Sequence, residues 1–164
     1  MRPTVADIDL GAIRDNVTLL RRIASPAALC AVVKADGYGH GATEAAVAAL
    51  EGGATSLAVA LVEEGIALRE DGITARILVL SQPPLDAMDI ALASALEPTV
   101  YTRDGIQEAL RAVLRAPGVP VWPLHLKVDT GMHRVGLWPP EGAPAFAGRI
   151  LEAGLELGGL WTHF

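Results

Sequence analysis

Cysteine is nearly missing from this chain. Cys30 stands alone, so no internal disulfide forms, and its setting in an apolar run reads as a small buried hydrophobe. Aromatic residues are scarce at 4%, which leaves Ala, Leu, Val and Ile to build the core of a chain that is 51% hydrophobic. Positive charge is short as well, with a net charge of −6. Nucleic acids and anionic membranes are bound through a basic face, so neither is expected as a partner. No 18-residue apolar span is present to cross a bilayer. The N-terminus, Met1-Arg2-Pro3-Thr4-Val5-Ala6-Asp7, lacks the apolar stretch of a secretory signal. Together these absences lead to the expectation of a cytoplasmic protein. At 164 residues the chain is long enough for one domain with a real core.

What is present is an alternation of strand and helix signals. A first helix is expected over 11–24, capped by Asp9, with Ile13, Val17, Leu20 and Ile23 at helical spacing. Short apolar runs follow at 29–33, 56–62, 77–80, 98–101, 121–128 and 157–161. Between them lie helix-like segments near 43–51, 63–71, 84–94, 103–115 and 141–153. Pro84 suits a first helical position, and Gly52 and Gly72 suit helix ends. Pro/Gly-rich stretches at 116–123 and 138–144 read as loops. Repeated strand–helix units imply a parallel sheet covered by helices. Two architectures compete: an open doubly wound sheet, and the first six strands of an eight-stranded β/α barrel. The last strand stops at Trp161-Thr162-His163-Phe164, with a histidine at the level of a site, and this favours a barrel truncated after about six strands.

Two stretches carry chemistry. In the first, the apolar run Leu29–Val33 ends in Lys34, followed by Ala35-Asp36-Gly37-Tyr38-Gly39-His40-Gly41. That order aims an amine out of the mouth of a buried strand, where desolvation favours its neutral, nucleophilic form. Such a lysine also suits a salt bridge or a snorkelling role. Glycines let backbone approach a ligand closely, and a phenol hydrogen-bonds a phosphate. The same loop also fits a loose dinucleotide pattern, Gly37-x-Gly39-x-x-Ala42 with Glu63 about 20 residues on. Lys34 and Asp36 are unlike the apolar strand that normally leads into a pyrophosphate loop. The second stretch, His125-Leu-Lys127-Val-Asp129-Thr-Gly-Met-His133-Arg134-Val-Gly136, is a strand with a polar turn after it. His125, Asp129 and His133 raise a metal site, but they do not share one helix and no further ligand completes the set, so no metal is expected.

The words Ala31–Gly41 and Val128–Gly136 resemble the two signatures of the alanine racemases. The resemblance runs from Arg2 to Phe164 and implies the fold: an α/β chain forming a truncated, TIM-like (β/α)8 barrel that binds pyridoxal 5′-phosphate (PLP). Residues 1–164 would be its N-terminal part, without the C-terminal β domain. It implies that Lys34 carries PLP as a Schiff base and acts as a base at the substrate α-carbon. Tyr38 would contact the cofactor phosphate and His163 would lie near the cofactor ring. Arg134 would bond the phenolic oxygen and help hold the substrate carboxylate. Lys127 matches a lysine that is carbamylated in many members. The implied activity interconverts L- and D-alanine, supplying D-alanine for peptidoglycan, in a homodimer whose partner subunit contributes a tyrosine as second base. Only Tyr38 and Tyr101 occur here, and Tyr101 matches no such motif, so the 164-residue piece alone is expected not to racemise. Alternatives are another PLP-barrel amino-acid enzyme, a PLP-carrier protein and, from a different class, a nucleotide-binding oxidoreductase.

Overall fold

A computed structural model describes residues 4–118, 120 and 122–164. Residues 1–3 of the N-terminal stretch, residue 119 of the 116–123 loop and the expected strand start at Val121 lie outside the described residues. Helix α1 (Leu10–Ala24) begins where Asp9 accepts a hydrogen bond from the Ala12 N–H at 2.9 Å. Six short strands follow: β1 (Cys30–Val32), β2 (Ser56–Val59), β3 (Arg76–Val79), β4 (Glu97–Val100), β5 (Leu124–Lys127) and β6 (Leu157–Trp161). They form one parallel sheet in the order β1-β2-β3-β4-β5-β6, each strand pairing with the next in sequence. A doubly wound sheet reverses its strand order at a switch point. No reversal occurs here, so the open doubly wound alternative is excluded and the sheet is a barrel half-shell.

Side-chain alternation sorts the two faces of the shell. Leu57, Val59, Ile77 and Val79 point outward into one core cluster; Val100, Leu124, Leu126 and Val128 point outward into a second. After the site-bearing turn α2 (Lys34–Gly39), five helices cover these residues: α3 (Ala42–Glu51), α4 (Val62–Glu70), α5 (Met88–Ala93), α6 (Arg103–Arg115) and α7 (Ala143–Glu152). Helix α3 buries Ala45, Ala46, Ala48 and Ala49, so a low aromatic content is met by close approach rather than bulk. Gly52 caps α3, and Gly72, at φ +85°, follows the end of α4. The expected 84–94 helix is divided: Pro84 is extended (ψ 145°) ahead of a 3-10 turn, Leu85–Ala87, and α5 starts only at Met88. The strand expected at 56–62 ends at Val59, where the chain turns into α4.

The inner face is polar in layers. At the N-terminal ends of the strands, Glu97 is 3% exposed. It accepts from Arg76 at 2.6 and 2.8 Å and bonds His125 Nε2 at 2.7 Å. Burial pushes the Glu97 carboxyl up, but the His125 and Arg76 hydrogen bonds outweigh it and hold the group below the usual range. Nearby, Arg69 donates to the carbonyls of Ile73, Ala75, Ser94 and Ala95, pinning two loops at the same end. Cys30 corrects the expectation of burial: it is exposed, because β1 is an edge strand and its even-numbered residues face the open interior. Among the described residues, no helix is long and apolar enough to cross a membrane.

Candidate active site

The chain leaves β1 through α2, and α2 is wound left-handed. Ala35, Asp36, Gly37 and Tyr38 have φ between 52° and 60°. Left-handed backbone costs an L-residue roughly 1–2 kcal/mol, and three of these four carry a Cβ. Several bonds hold the turn. The Gly37 N–H donates to Val33 O at 2.9 Å, the Gly41 N–H to Asp36 O at 3.0 Å, and the Ala42 N–H to Asp36 Oδ1 at 2.9 Å. The Ala35 N–H donates to Glu64 Oε1 at 2.7 Å. Gly37 packs against α3, where an added Cβ would meet Ala45 Cβ at 3.2 Å. This geometry also removes the dinucleotide reading. The glycines serve a left-handed turn rather than a strand-to-helix phosphate loop, and Glu63 is exposed.

Lys34 sits at the start of that turn, half-buried, with Nζ 5.8 Å from the centroid of the Tyr38 ring. It lines a cavity of about 570 Å³ on the inner face, a size typical of small-molecule sites. Tyr38, Lys127, Arg134, Trp161 and His163 line the same cavity. Among the described residues, neither Lys34 nor Arg134 is in an ion pair.

The second motif folds back over the strand that carries it. The Leu137 N–H donates to Lys127 O at 2.8 Å and the Asp129 N–H to Leu137 O at 3.1 Å. Asp129 Oδ1 accepts from the Gly131 and His133 N–H groups at 2.9 and 3.0 Å, which shapes the intervening turn. Those backbone bonds hold the Asp129 carboxyl below its ordinary range. The closed loop delivers Arg134 to the cavity. Lys127 is 3% exposed and its Nζ lies 4.3 Å from the Trp161 ring centroid. Burial lowers the Lys127 pKa, and the positive charges of Arg134 and Lys34 lower it further, against Asp129. Lys127 is therefore a desolvated amine within the cavity. Trp161 is fixed from behind by Nε1–H donating to Thr99 Oγ1 at 3.3 Å.

The residues first grouped as metal candidates serve other ends. His125 bonds Glu97, Asp129 organises its own loop, and His133 stacks edge-on against Trp138 with ring centroids 5.2 Å apart. Tyr101 lies on another cavity wall, its N–H held by Gln82. Two residues were not singled out from the sequence. Trp161 was visible only as part of an apolar strand. Glu64 stands at the third position of α4, where a carboxylate can reach back to the helix entry, and that spacing was a usable signal. Chemically, the cavity offers an amine, a guanidinium, a phenol and an imidazole on a rim with little negative charge. That set suits a planar ligand with a carbonyl and anionic groups.

A family model described as "Alanine racemase, N-terminal domain" matches residues 8–164. The chain belongs to this family. The alanine racemase of Symbiobacterium thermophilum is 45% identical over 99% of this chain and 43% of its own length. That of Mycobacterium tuberculosis strain H37Rv is 44% identical over 96% of this chain and 41% of its own. Among solved structures, alanine racemase from E. faecalis superposes with a TM-score of 0.87 at 41% identity, covering 96% of this chain and 43% of that one. The biosynthetic alanine racemase of Pseudomonas aeruginosa gives 0.85 at 35% identity, covering all of this chain and 45% of that one. The chain thus spans less than half the length of these alanine racemases.

Proposed function

We propose that this chain is the N-terminal part of a PLP-dependent alanine racemase that interconverts L- and D-alanine in the cytoplasm and supplies D-alanine for peptidoglycan. The observation that carries the reading is the convergence of Lys34, Tyr38, Lys127, Arg134 and His163 on one cavity, in a chain of the alanine racemase family. The rest of the barrel, a C-terminal β domain and a second subunit would complete each site.

PLP, when bound, supplies an electron sink that makes the substrate's α-proton acidic. The donor set fits such a group. The Lys34 amine, without a carboxylate partner among the described residues, is the atom to hold it and then to take and return a proton at one face of the α-carbon. Arg134 presents a planar fork of donors, which suits the substrate carboxylate and the cofactor's phenolic oxygen. Tyr38, between Gly37 and Gly39 of the turn, is suited to the phosphate, and His163 to the ring. Lys127 fits carbamylation. Its depressed pKa leaves more of the amine neutral, so that it can add to carbon dioxide with loss of one proton, and the carbamate carboxylate so formed would orient Arg134. Racemisation needs a base on each face, and the second is assigned to a tyrosine of the partner subunit in the homodimer. Cys30 and the apolar strand residues Val32 and Leu78 line the cavity beside these groups.

The test uses the full-length protein with PLP. The parent is expected to show the near-visible absorbance of lysine-bound PLP, abolished by borohydride, and to interconvert the alanine isomers. Lys34→Ala should lose the band and at least roughly 10³-fold in kcat. Cofactor uptake without racemisation would favour a carrier or another PLP-barrel enzyme. A parent that takes up no PLP refutes the proposal.

A further inference from the structure

We propose that Glu64 is a positioning residue for Lys34: its carboxylate, shared between the Ala35 N–H and the corner after β2, fixes the left-handed turn that presents the amine to the cavity. The inference rests on the proposed role of Lys34.

The turn is strained at Ala35, Asp36 and Tyr38, and strain of this kind persists only where the surroundings over-determine it. Most of its restraints are local, running within residues 33–42. Among the described residues, the Glu64 contact is the one hydrogen bond tying residues 35–38 to a residue outside the 33–42 stretch. It lands on the residue immediately after Lys34. The other carboxylate oxygen, Oε2, accepts from the Ala60 and Leu61 N–H groups at 2.8 and 3.1 Å. Three donors therefore converge on two oxygens, and all three are backbone groups whose positions the fold sets. Residues Ala60 and Leu61 continue β2, which pairs directly with β1. Glu64 thus locks the C-terminal ends of two neighbouring strands in one arrangement. The carboxylate also lies in the first turn of α4, where the helix dipole favours negative charge.

This arrangement calls for a carboxylate rather than an amide. A glutamine has one acceptor oxygen and an NH₂ that donates. It can serve Ala35 or the Ala60–Leu61 corner, and must turn a donor against the other. Glu64→Gln therefore loosens the turn with little change in size. Ala35→Gly removes the Cβ that makes φ +52° costly, so it should restore part of what Glu64→Gln loses.

Two readouts on the full-length protein test this. The first needs no cofactor: exchange of the Ala35 amide proton, followed by NMR or by peptide-level hydrogen exchange. Glu64→Gln is expected to speed it at least 10-fold. The second is the titration of PLP into the apoprotein, followed by the lysine-bound band and its pH dependence. Glu64→Gln should raise the apparent Kd at least 10-fold and displace the pH midpoint of the band. The Ala35→Gly/Glu64→Gln protein should recover part of the affinity. Unchanged Ala35 exchange in Glu64→Gln overturns the inference, as does parent-like PLP affinity with a parent-like band. A parent that takes up no PLP while Ala35 exchange still responds to Glu64→Gln sinks the cofactor reading and leaves the positioning of the turn supported.

Discussion

At the scale of single residues, the molecule separates its charges by task. Arg134 and Lys34 meet the cavity without acidic partners among the described residues, whereas Glu97 is paired twice at the opposite end of the sheet. Glu97 is therefore expected to govern stability rather than chemistry. Its carboxyl is held below 4.5 in the folded chain. A depressed carboxyl contributes stability above its unfolded value and loses it as pH falls through the folded one. Glu97→Gln should cost about 2 kcal/mol at neutral pH, the scale of hydrogen bonds to a charged group. The gap between parent and variant should narrow as pH drops below about 4.5. Urea unfolding of both proteins across that range checks it, and a gap that stays constant into strong acid would assign the effect to shape instead.

At the scale of elements, the two signature loops differ in how they reach the cavity. The turn after β1 is held by contacts from α3 and α4, while the loop after β5 closes on its own strand through Leu137. Gly136 makes that closure possible. Its φ is +141°, and an added Cβ would lie 2.6 Å from Asp129 N and 2.9 Å from Val128 C. Both are backbone atoms, so nothing flexible can give way. Gly136→Ala should destabilise by about 2–3 kcal/mol, in line with overpacking at a fixed site. It should also displace Arg134, raising KM for alanine in the full-length protein more than a change confined to stability would. Stability and KM measured on the same preparation separate these effects.

The elements also bear on how far the sequence reveals the molecule. Six strands were legible as short apolar runs and six of the helices as the segments between them, because a buried strand is apolar over several residues and a covering helix carries one apolar face. Asp9 and Gly52 marked ends by chemistry that acts locally. The left-handed α2 was not legible. Ala35 and Asp36 have no intrinsic preference for positive φ strong enough to announce it, and the cause lies 29 residues away in Glu64. Glu63 drew attention for a ribose role, yet its neighbour makes the contact. Burial of Lys127 is likewise a tertiary fact: Trp161 covers it from a strand that is remote in sequence. Strand alternation gave both faces of β1 similar apolar residues, so Cys30 could not be assigned inward or outward from spacing alone.

At the scale of the whole molecule, the half-shell has, among the described residues, two unpaired sheet edges, β1 and β6. Each exposes a row of backbone donors and acceptors, a template for pairing with another chain. Apolar surface lies beside them: Val32 is 40% exposed and Leu160 57%, with Leu20 of α1 open next to β1. Natural sheets guard such edges with charge, proline or cover. Neither Cys30–Val32 nor Leu157–Trp161 contains a charged residue or a proline. The isolated 164-residue chain is therefore expected to associate in a concentration-dependent way, and not to racemise alanine. Leu160→Lys, placed on the outer side of β6, should shift the chain toward monomer without restoring activity. Light scattering over a dilution series reads the association, and D-alanine formation reads the activity. A monodisperse, inactive 164-residue monomer would mean that the edges are protected by a device other than pairing. D-alanine formation by that monomer would overturn the assignment of the second base to another part of the protein.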